Sequence, residues 1–332
     1  MKVLLYTENE KLIGKSGLGK AIKHQMKALE LAGVEYTTNP DDDYNILHIN
    51  TYFPSSYFLA LNAKKKGKKI VYHAHSTEED YKDGFILAKQ TSKEFKKWLV
   101  KCYSLGDVVV TPTEYSKKLL DTYGINKKIY EVSNGIEIEK FKHNEELAKK
   151  FRETYRYSKE DKVIIGIGLY IERKGIVDFV ELAKRMPEYK FIWFGYSSLT
   201  FATKLVRDAV NTKLDNLTFA GYVESDMIIG AMSGCDLYLF PTLEETEGIP
   251  IIEACACKCK ALVRDIGVFD NWLTHGINVY KAKDIDEFQM LIPKIINGDL
   301  SDLTENAYKV ALDRDLKIIG KKLKDIYTEV LK

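Results

Sequence analysis

The middle of the sequence reads Val163-Ile164-Ile165-Gly166-Ile167-Gly168-Leu169-Tyr170-Ile171-Glu172-Arg173-Lys174-Gly175, an apolar β-branched run that ends in a charged turn. A short run of this kind predicts a buried strand. The next residues, Ile176–Met186, have apolar side chains at helical spacing, so a strand, a turn and a helix follow one another. Repetition of this unit along the chain predicts parallel sheets with crossover helices, which is an α/β fold.

The same pattern occurs on both sides of this stretch. In the first half we predict strands at Val3–Tyr6, Ile46–Ile49, Ile70–Tyr72, Val108–Thr111 and Ile129–Val132. In the second half, besides the strand at 163–168, we predict them at Phe191–Phe194, Leu217–Phe219, Leu237–Phe240 and Ala261–Arg264. Two sheets predict two domains, residues 1–155 and 156–315, followed by a helix over 316–332. In open α/β sheets ligands bind beyond the carboxyl ends of the strands, so we expect a site in a cleft between the two sheets.

Composition excludes several classes of protein. The 332 residues are 45% hydrophobic and 30% charged, which is globular, and no apolar run is long enough to span a bilayer. Five cysteines indicate a reducing cytosol, and a net charge of +2 argues against a strongly basic nucleic-acid binder. This charge combines +6 over residues 1–160 with −4 over residues 161–332. The asymmetry indicates either a surface for an anionic partner or charges scattered over solvated faces.

The glycine-rich stretch from Gly14 to Ala21 almost matches a phosphate-binding P-loop. Ala21 stands where that loop needs a hydroxyl to bind Mg²⁺, so we do not expect nucleotide hydrolysis there. Two interpretations remain: a flexible loop whose backbone approaches a sugar or phosphate, or a plain turn before a helix.

The acidic loop after the strand at 237–240 is the strongest functional signal. Seven residues separate Glu245 from Glu253, and Gly248 between them permits close approach of a ligand to the backbone. Glutamates beside an apolar helix are costly unless they bind something polar, such as ribose hydroxyls. Arg173 and Lys174 lie near a helix N-terminus and are suited to a diphosphate, although a solvated turn would look similar.

Two further features allow alternative interpretations. His73 and His75 both follow the strand at 70–72, and strand alternation does not distinguish them, so either is a structural histidine or a site residue. The stretch 93–103 has apolar residues on one helical face with lysines beside it, which fits either a membrane-surface helix or a helix packed on the core. The cysteines at 255, 257 and 259 diverge on a helix, so we expect no metal there.

These motifs together resemble glycosyltransferases of family 4, which have the GT-B fold of two Rossmann-like domains facing across a cleft. The resemblance rests on Glu245…Glu253 with Gly248, on Gly168…Arg173-Lys174-Gly175 and on Val132-Ser133-Asn134-Gly135-Ile136. It implies a last helix that crosses back to the first domain and a reaction that needs no metal or cofactor. It departs at Leu169, where that family usually has Arg, and we hypothesise that Arg173 supplies the missing charge.

The resemblance also implies roles for individual residues. The implied catalytic residues are His75, Arg173, Lys174 and Glu245. The implied donor-binding residues are Gly17, Arg173, Lys174, Tyr222, Glu245, Thr246, Gly248, Ile249 and Glu253. The implied acceptor-binding residues are Ser16, Gly17, Gly19, Thr51 and Tyr52, and the implied membrane-binding residues are Lys93, Lys96, Lys97, Trp98 and Lys101.

Within that family the chain is similar to glycolipid synthases of Gram-positive bacteria that add a second hexose to monoglucosyl-diacylglycerol. We therefore expect a retaining transferase that moves glucose or galactose from a UDP-sugar to a membrane glycolipid. Its partners would be the UDP-hexose, the glycolipid and the anionic inner face of the cell membrane, to which a cytoplasmic enzyme binds peripherally. The alternatives are a soluble or polysaccharide acceptor, or an inactive sugar-nucleotide-binding module.

Overall fold

A computed structural model describes residues 1–9, 13–14, 16–82, 84 and 86–332. Its strands are β1 (Lys2–Tyr6), β2 (Glu35–Thr37), β3 (Ile46–Ile49), β4 (Lys69–His73), β5 (Val108–Thr111), β6 (Lys128–Glu131), β7 (Val163–Ile167), β8 (Lys190–Phe194), β9 (Leu217–Gly221), β10 (Leu237–Phe240), β11 (Ala261–Arg264) and β12 (Tyr280–Ala282). Its helices are α1 (Gly17–Leu31), α2 (Pro54–Lys65), α3 (Glu78–Lys82), α4 (Ala88–Tyr103), α5 (Glu114–Asp121), α6 (Glu145–Thr154), α7 (Ile176–Arg185), α8 (Lys204–Val210), α9 (Ser225–Gly234), α10 (Ile249–Ala256), α11 (Ile285–Ile296), α12 (Thr304–Leu312) and α13 (Leu316–Leu331).

The first compact unit contains residues 1–79, 90–137 and 313–332. Its parallel sheet has the strand order β2-β1-β3-β4-β5-β6. The central strands are buried on both faces, which is why they read as continuous apolar runs.

The last helix, α13, completes the core of this first unit. Its residues Leu316, Ile319, Leu323 and Tyr327 are buried in one cluster with side chains of β1 and α1. Because α13 covers apolar groups that the sheet and α1 would otherwise expose to water, the C-terminus belongs structurally with the N-terminal sheet.

The second compact unit contains residues 80–89 and 138–312. Its parallel sheet has the order β12-β11-β10-β7-β8-β9. Phe179, Phe191 and Trp193 are buried together in its core, and their rings make edge-to-face contacts. In this sheet β7 and β10 are neighbours, so the segments that follow them begin at the same edge.

The division between the units differs from the expected boundary near residue 155. It lies between residues 137 and 138, because helix α6 packs against α9 in the second unit. Arg152 of α6 donates to the carbonyl of Gly234 at 2.8 Å and pairs with Asp236 at 2.9 Å. A charged helix between two strands does not reveal which sheet it covers, so the sequence placed α6 in the wrong unit.

In the part of the chain that the structure describes, no helix combines the length and the apolarity needed to cross a bilayer.

Candidate functional site

A charged cluster lies beyond the carboxyl ends of β7 and β10 in the second unit. The turn Glu172–Lys174 follows β7, and the acidic loop follows β10. The Thr242 hydroxyl donates to the carbonyl of Arg173 at 3.1 Å, and the Leu243 amide donates to the same oxygen at 2.7 Å. These two bonds join the turn to the loop, although the two segments are far apart in the chain.

Gly175 lets the turn and the loop approach each other. Its φ is +73°, and a Cβ added at this residue would lie 2.1 Å from the carbonyl oxygen of Pro241. A side chain is therefore excluded both by backbone conformation and by space. Helix α7 begins directly after this glycine.

The cluster pairs two cations with two carboxylates. Arg173 Nη1 lies 2.7 Å from Asp80 and 3.7 Å from Glu245, and it donates to the carbonyl of Glu244 at 2.9 Å. Lys174 forms an ion pair with Glu245. All four charged side chains are largely buried, so each needs an opposite charge to offset the loss of hydration.

Burial shifts the pKa values of two members of the cluster. Burial raises the pKa of the Asp80 carboxyl, while Arg173 and Lys174 oppose this rise. Burial, together with the charge on Arg173, lowers the pKa of the Lys174 ammonium, which Glu245 opposes. Burial thus outweighs the neighbouring opposite charges at both groups, and pKa values shifted by burial and by close charges are frequent at functional sites.

The second glutamate of the loop motif lies inside α10. Glu253 is completely buried, and Gly248, with φ +95°, precedes Ile249, the first residue of the helix. Burial raises the pKa of the Tyr238 hydroxyl, and Glu253 and Glu245 raise it further. Both carboxylates therefore act electrostatically on the same buried tyrosine of β10.

The remaining residues expected to bind the donor have different environments. Thr246 is partly buried in the acidic loop beside Glu245. Tyr222 follows β9, the edge strand two positions from β7, and is 46% exposed. Glu247, which lies outside the predicted set of donor-binding residues, is 1% exposed.

In the first unit His75 belongs to a stack of three imidazoles. The rings of His73 and His75 are parallel with centroids 4.0 Å apart, and the His48 ring is nearly parallel to that of His73 at 5.3 Å, with His48 Nε2 3.1 Å from His73 Nδ1. His48 Nδ1 lies 2.6 Å from the Tyr327 hydroxyl of α13, and His75 Nε2 lies 2.9 Å from the side-chain oxygen of Asn50. The stack thus extends from the last helix to His75.

The stack is electrically neutral at physiological pH. Burial lowers the pKa of His48 to about 3 and that of His75 to about 3. Burial also lowers the pKa of His73 well below its ordinary value, and the two neighbouring histidines lower it further. His73 is 2% exposed whereas His75 is half-buried, so the structure distinguishes the two histidines where strand alternation does not.

The residues expected to bind the acceptor mostly have structural partners. The Ser16 hydroxyl caps α1 by accepting from the Gly19 amide at 3.3 Å, and a Cβ at Gly19 would lie 2.4 Å from a backbone oxygen. Thr51 is 1% exposed, and its hydroxyl bonds that of Ser56 at 2.7 Å. Gly17 is exposed and open, so a ligand can approach its backbone. The neighbouring Lys15 lies outside the described residues.

The structure corrects the expectation for the tryptophan among the membrane-binding residues. The indole of Trp98 donates to the carbonyl of Tyr52 at 2.6 Å and packs, with Phe95, against the core of the first unit. Lys96 pairs with Glu78 at 3.4 Å. The apolar face of α4 is therefore an internal face, because it covers the sheet.

Three of the expected membrane-binding lysines keep exposed side chains. They are Lys93, Lys97 and Lys101 of α4. Their spacing of four residues places them along one side of the helix.

Among the described residues, no three or more His, Cys, Asp or Glu side chains lie where they could share a metal ion. Cys255, Cys257 and Cys259 are buried thiols.

Several site residues were missed in the sequence. Asp80 has no motif around it that links it to Arg173, and Thr242 looks like an ordinary strand-end threonine. Strand alternation could have indicated that His48 and Asn50 share a face, but Gln25, which lies 3.0 Å from His73, carries no such signal.

Comparison with known proteins identifies the same two halves of the chain. Residues 148–310 match the family described as Glycosyl transferases group 1, and residues 24–140 match Glycosyltransferase Family 4. A processive diacylglycerol alpha-glucosyltransferase of Acholeplasma laidlawii is 39% identical over 100% of this chain and 99% of that protein. An alpha-galactosylglucosyldiacylglycerol synthase of Streptococcus pneumoniae is 22% identical over 94% of this chain and 85% of that protein.

Solved structures share the fold. HepE of Anabaena, determined with UDP and glucose, has a TM-score of 0.81 at 16% identity over 99% of this chain and 100% of that chain. A sucrose-phosphate synthase of Thermosynechococcus elongatus has a TM-score of 0.82 at 14% identity over 99% of each chain. The two parallel six-stranded sheets therefore form the α/β architecture of GT-B proteins.

Proposed function

The chain belongs to the glycosyltransferases of group 1 and family 4, and we propose that it transfers a hexose from a UDP-sugar to a membrane glycolipid such as monoglucosyl-diacylglycerol. The observation that carries this proposal is the full-length similarity to a processive diacylglycerol alpha-glucosyltransferase. The glycolipid synthase of Streptococcus pneumoniae, similar over most of the chain, supports the same acceptor class.

Arg173 and Lys174 stabilise the departing diphosphate in this proposal. Arg offers a planar fork to phosphate oxygens and Lys a compact charge, and both act best where water is excluded. Their present partners are Asp80 and Glu245, so a diphosphate would compete with these carboxylates for the cations. The cations would thus neutralise the leaving group without a metal ion.

The acidic loop and α10 hold the rest of the donor. Glu245 holds the transferred sugar, and Glu253 accepts hydrogen bonds from the ribose. Gly248 makes the left-handed turn (φ +95°) at which α10 begins, and a Cβ there would lie 3.2 Å from the Phe240 ring. Glucose and galactose differ at one hydroxyl, and either epimer fits this description.

His75 contacts the transferred hexose near the reacting carbon in this proposal. A neutral imidazole can donate or accept a hydrogen bond without bringing a charge to the sugar. Asn50 lies 2.9 Å from one ring nitrogen, which leaves the other nitrogen for the ligand.

In this proposal, positive charge on the first unit attracts the enzyme to the membrane surface. Lys93, Lys97 and Lys101 present a row of positive charge that suits an anionic lipid surface such as the cytoplasmic leaflet. We therefore place the enzyme peripherally on the inner face of the cell membrane.

The test is UDP release from UDP-glucose and from UDP-galactose, each with monoglucosyl-diacylglycerol in vesicles, with a soluble oligosaccharide, or with no acceptor. We expect release to depend on the glycolipid and the product to retain the α configuration. Release with the oligosaccharide alone would favour a soluble acceptor, and UDP-sugar binding without release would favour an inactive binding module.

Variants test the cation pair in the same assay. We expect Arg173→Ala and Lys174→Ala each to lower kcat/KM by about a hundredfold, because each removes a charge that stabilises the leaving group. Arg185→Ala, which removes an exposed arginine of α7, is the matched control and should leave kcat/KM unchanged. If only Lys174→Ala reduced the rate, Arg173 would not compensate for the leucine at position 169.

A further inference from the structure

An exposed apolar tip lies on the second unit, apart from the residues assigned above. Its four side chains are Ile86, Leu87, Phe201 and Leu205, which are 46%, 62%, 69% and 55% exposed. The Ile86 amide donates to the carbonyl of Phe201 at 3.2 Å, so the two segments lie side by side. Single exposed apolar residues are common, but four neighbouring ones, two from each segment, call for a partner.

The tip is joined to the cation pair through both of its segments. The first segment begins near Asp80, which contacts Arg173 at 2.7 Å. The second contains Thr203, whose hydroxyl donates to Glu172 at 3.1 Å. Both contacts are made to the turn Glu172–Lys174, so both segments have a contact with the same turn.

The charge around the tip suits an anionic partner. After Asp80, the sequence of the two segments (81–89 and 196–207) contains four cationic residues, Lys82, Lys89, Lys204 and Arg207, and one acidic residue, Asp83. Asp208 pairs with Lys204 at 2.8 Å and follows the second segment. Apolar side chains with cations beside them are the arrangement that binds the boundary between lipid headgroups and acyl chains.

We propose that this tip inserts into the surface of a bilayer containing anionic lipid and thereby holds the donor-binding unit at the membrane. The four side chains expose roughly 400 Å², well below the about 800 Å² per partner of a stable protein interface. A bilayer accepts so small a surface because it has no fixed shape to match. The inference rests on the proposed function, which places the acceptor in a membrane.

The test is binding to vesicles of phosphatidylcholine with 30% phosphatidylglycerol, measured by co-sedimentation. The double variant Leu87→Asn/Phe201→Ser removes the two most exposed side chains, and asparagine tolerates the left-handed backbone of Leu87 (φ +67°). We expect its binding to fall about a hundredfold, or about tenfold for each side chain. Phe58→Ser, which removes a phenylalanine that is 66% exposed on the first unit, is the matched control and should change binding less than about twofold.

A second measurement is independent of any loss of folding in the double variant. The Phe201→Trp variant carries an indole at the tip, and brominated lipids should quench its fluorescence more than they quench the native tryptophans of the wild type. Equal quenching of the two proteins would overturn the proposal. Wild-type binding by the double variant, or equal losses in the double variant and the control, would overturn it too.

Failure of the inference can be told apart from failure of the proposed function. UDP release with a short-chain, water-soluble monoglucosyl-diacylglycerol does not need vesicles, so the double variant should keep wild-type rates with that acceptor. If the wild type lacked this activity yet the tip bound vesicles, the proposed acceptor would be wrong. If the double variant instead changed a dimer into a monomer, the tip would bind a second copy of the chain and the proposal would fall.

Discussion

The histidine stack makes the first unit sensitive to acid. His48 and His75 have pKa values of about 3 in the folded protein and 6.5 ordinarily. Below about pH 6.5 the unfolded chain therefore binds protons that the folded chain excludes. The stabilising effect of the neutral imidazoles is complete above pH 6.5 and is lost as the pH falls toward 3. We expect the first unit to unfold in mild acid.

The size of the effect follows from the shift. Each such histidine costs about 1.4 kcal/mol of unfolding free energy per pH unit below its unfolded pKa. At pH 5 His48 alone costs about 2 kcal/mol, and the whole stack costs a large part of the 5–15 kcal/mol that typically stabilises a domain. His75 is partly exposed to water, so its contribution to this loss of unfolding free energy is smaller. The second unit has no buried histidine among the described residues, since His143 and His275 are exposed, and it serves as the internal reference.

Hydrogen exchange measured by mass spectrometry separates the two units. Peptides covering β4 report on the first unit and peptides covering β7 on the second, and the ratio of their protection cancels the intrinsic pH dependence of exchange. We expect β4 to lose protection relative to β7 between pH 7 and pH 5.

One substitution isolates the contribution of His48. His48→Gln keeps a polar side chain beside Tyr327 but does not titrate, so the dependence of stability on pH should become shallower by about 1.4 kcal/mol per pH unit. This slope is informative even if glutamine lowers stability at every pH. A slope equal to that of the wild type, or constant relative protection of β4 from pH 7 to pH 5, would refute the reasoning.

Three further substitutions test the charged cluster. Gly175→Ala should destabilise the second unit by about 1–3 kcal/mol in urea unfolding, because its Cβ would meet the Pro241 carbonyl at a positive φ; wild-type stability would contradict this. Asp80→Asn should tighten UDP binding in calorimetry, since it removes a carboxylate that competes for Arg173; weaker binding would show that Asp80 positions the guanidinium instead. Glu245→Ala should lower kcat while UDP affinity stays nearly intact, and an equal loss of UDP affinity would reassign Glu245 to the nucleotide.

The balance of charges in the cluster affects how a diphosphate donor could bind there. Two cations and two carboxylates compensate one another in the protein, and a diphosphate would add negative charge. A diphosphate bound to Arg173 and Lys174, as proposed, would therefore loosen the contacts of Asp80 and Glu245 with these cations.

Strand positions could be predicted closely. Strands such as Ile46–Ile49, Leu237–Phe240 and Ala261–Arg264 have the bounds read from the sequence, because burial on both faces requires a continuous apolar run. The strands β2 and β12 were missed. Both are three-residue edge strands, which are less buried and have a weaker apolar pattern.

Local chemistry determines what the sequence alone can reveal about this chain. The succession of strands and helices along the chain, the glycine turns and the glutamate motif all depend on residues that are close together in the sequence. Tertiary structure alone decided that α6 belongs to the second unit, that Trp98 packs inward and that His48 joins the stack. The same holds for the contact of Asp80 with Arg173. These outcomes depend on which faces of distant segments pack together. Burial and charge compensation act through space, and the residues involved share no recognisable pattern along the chain.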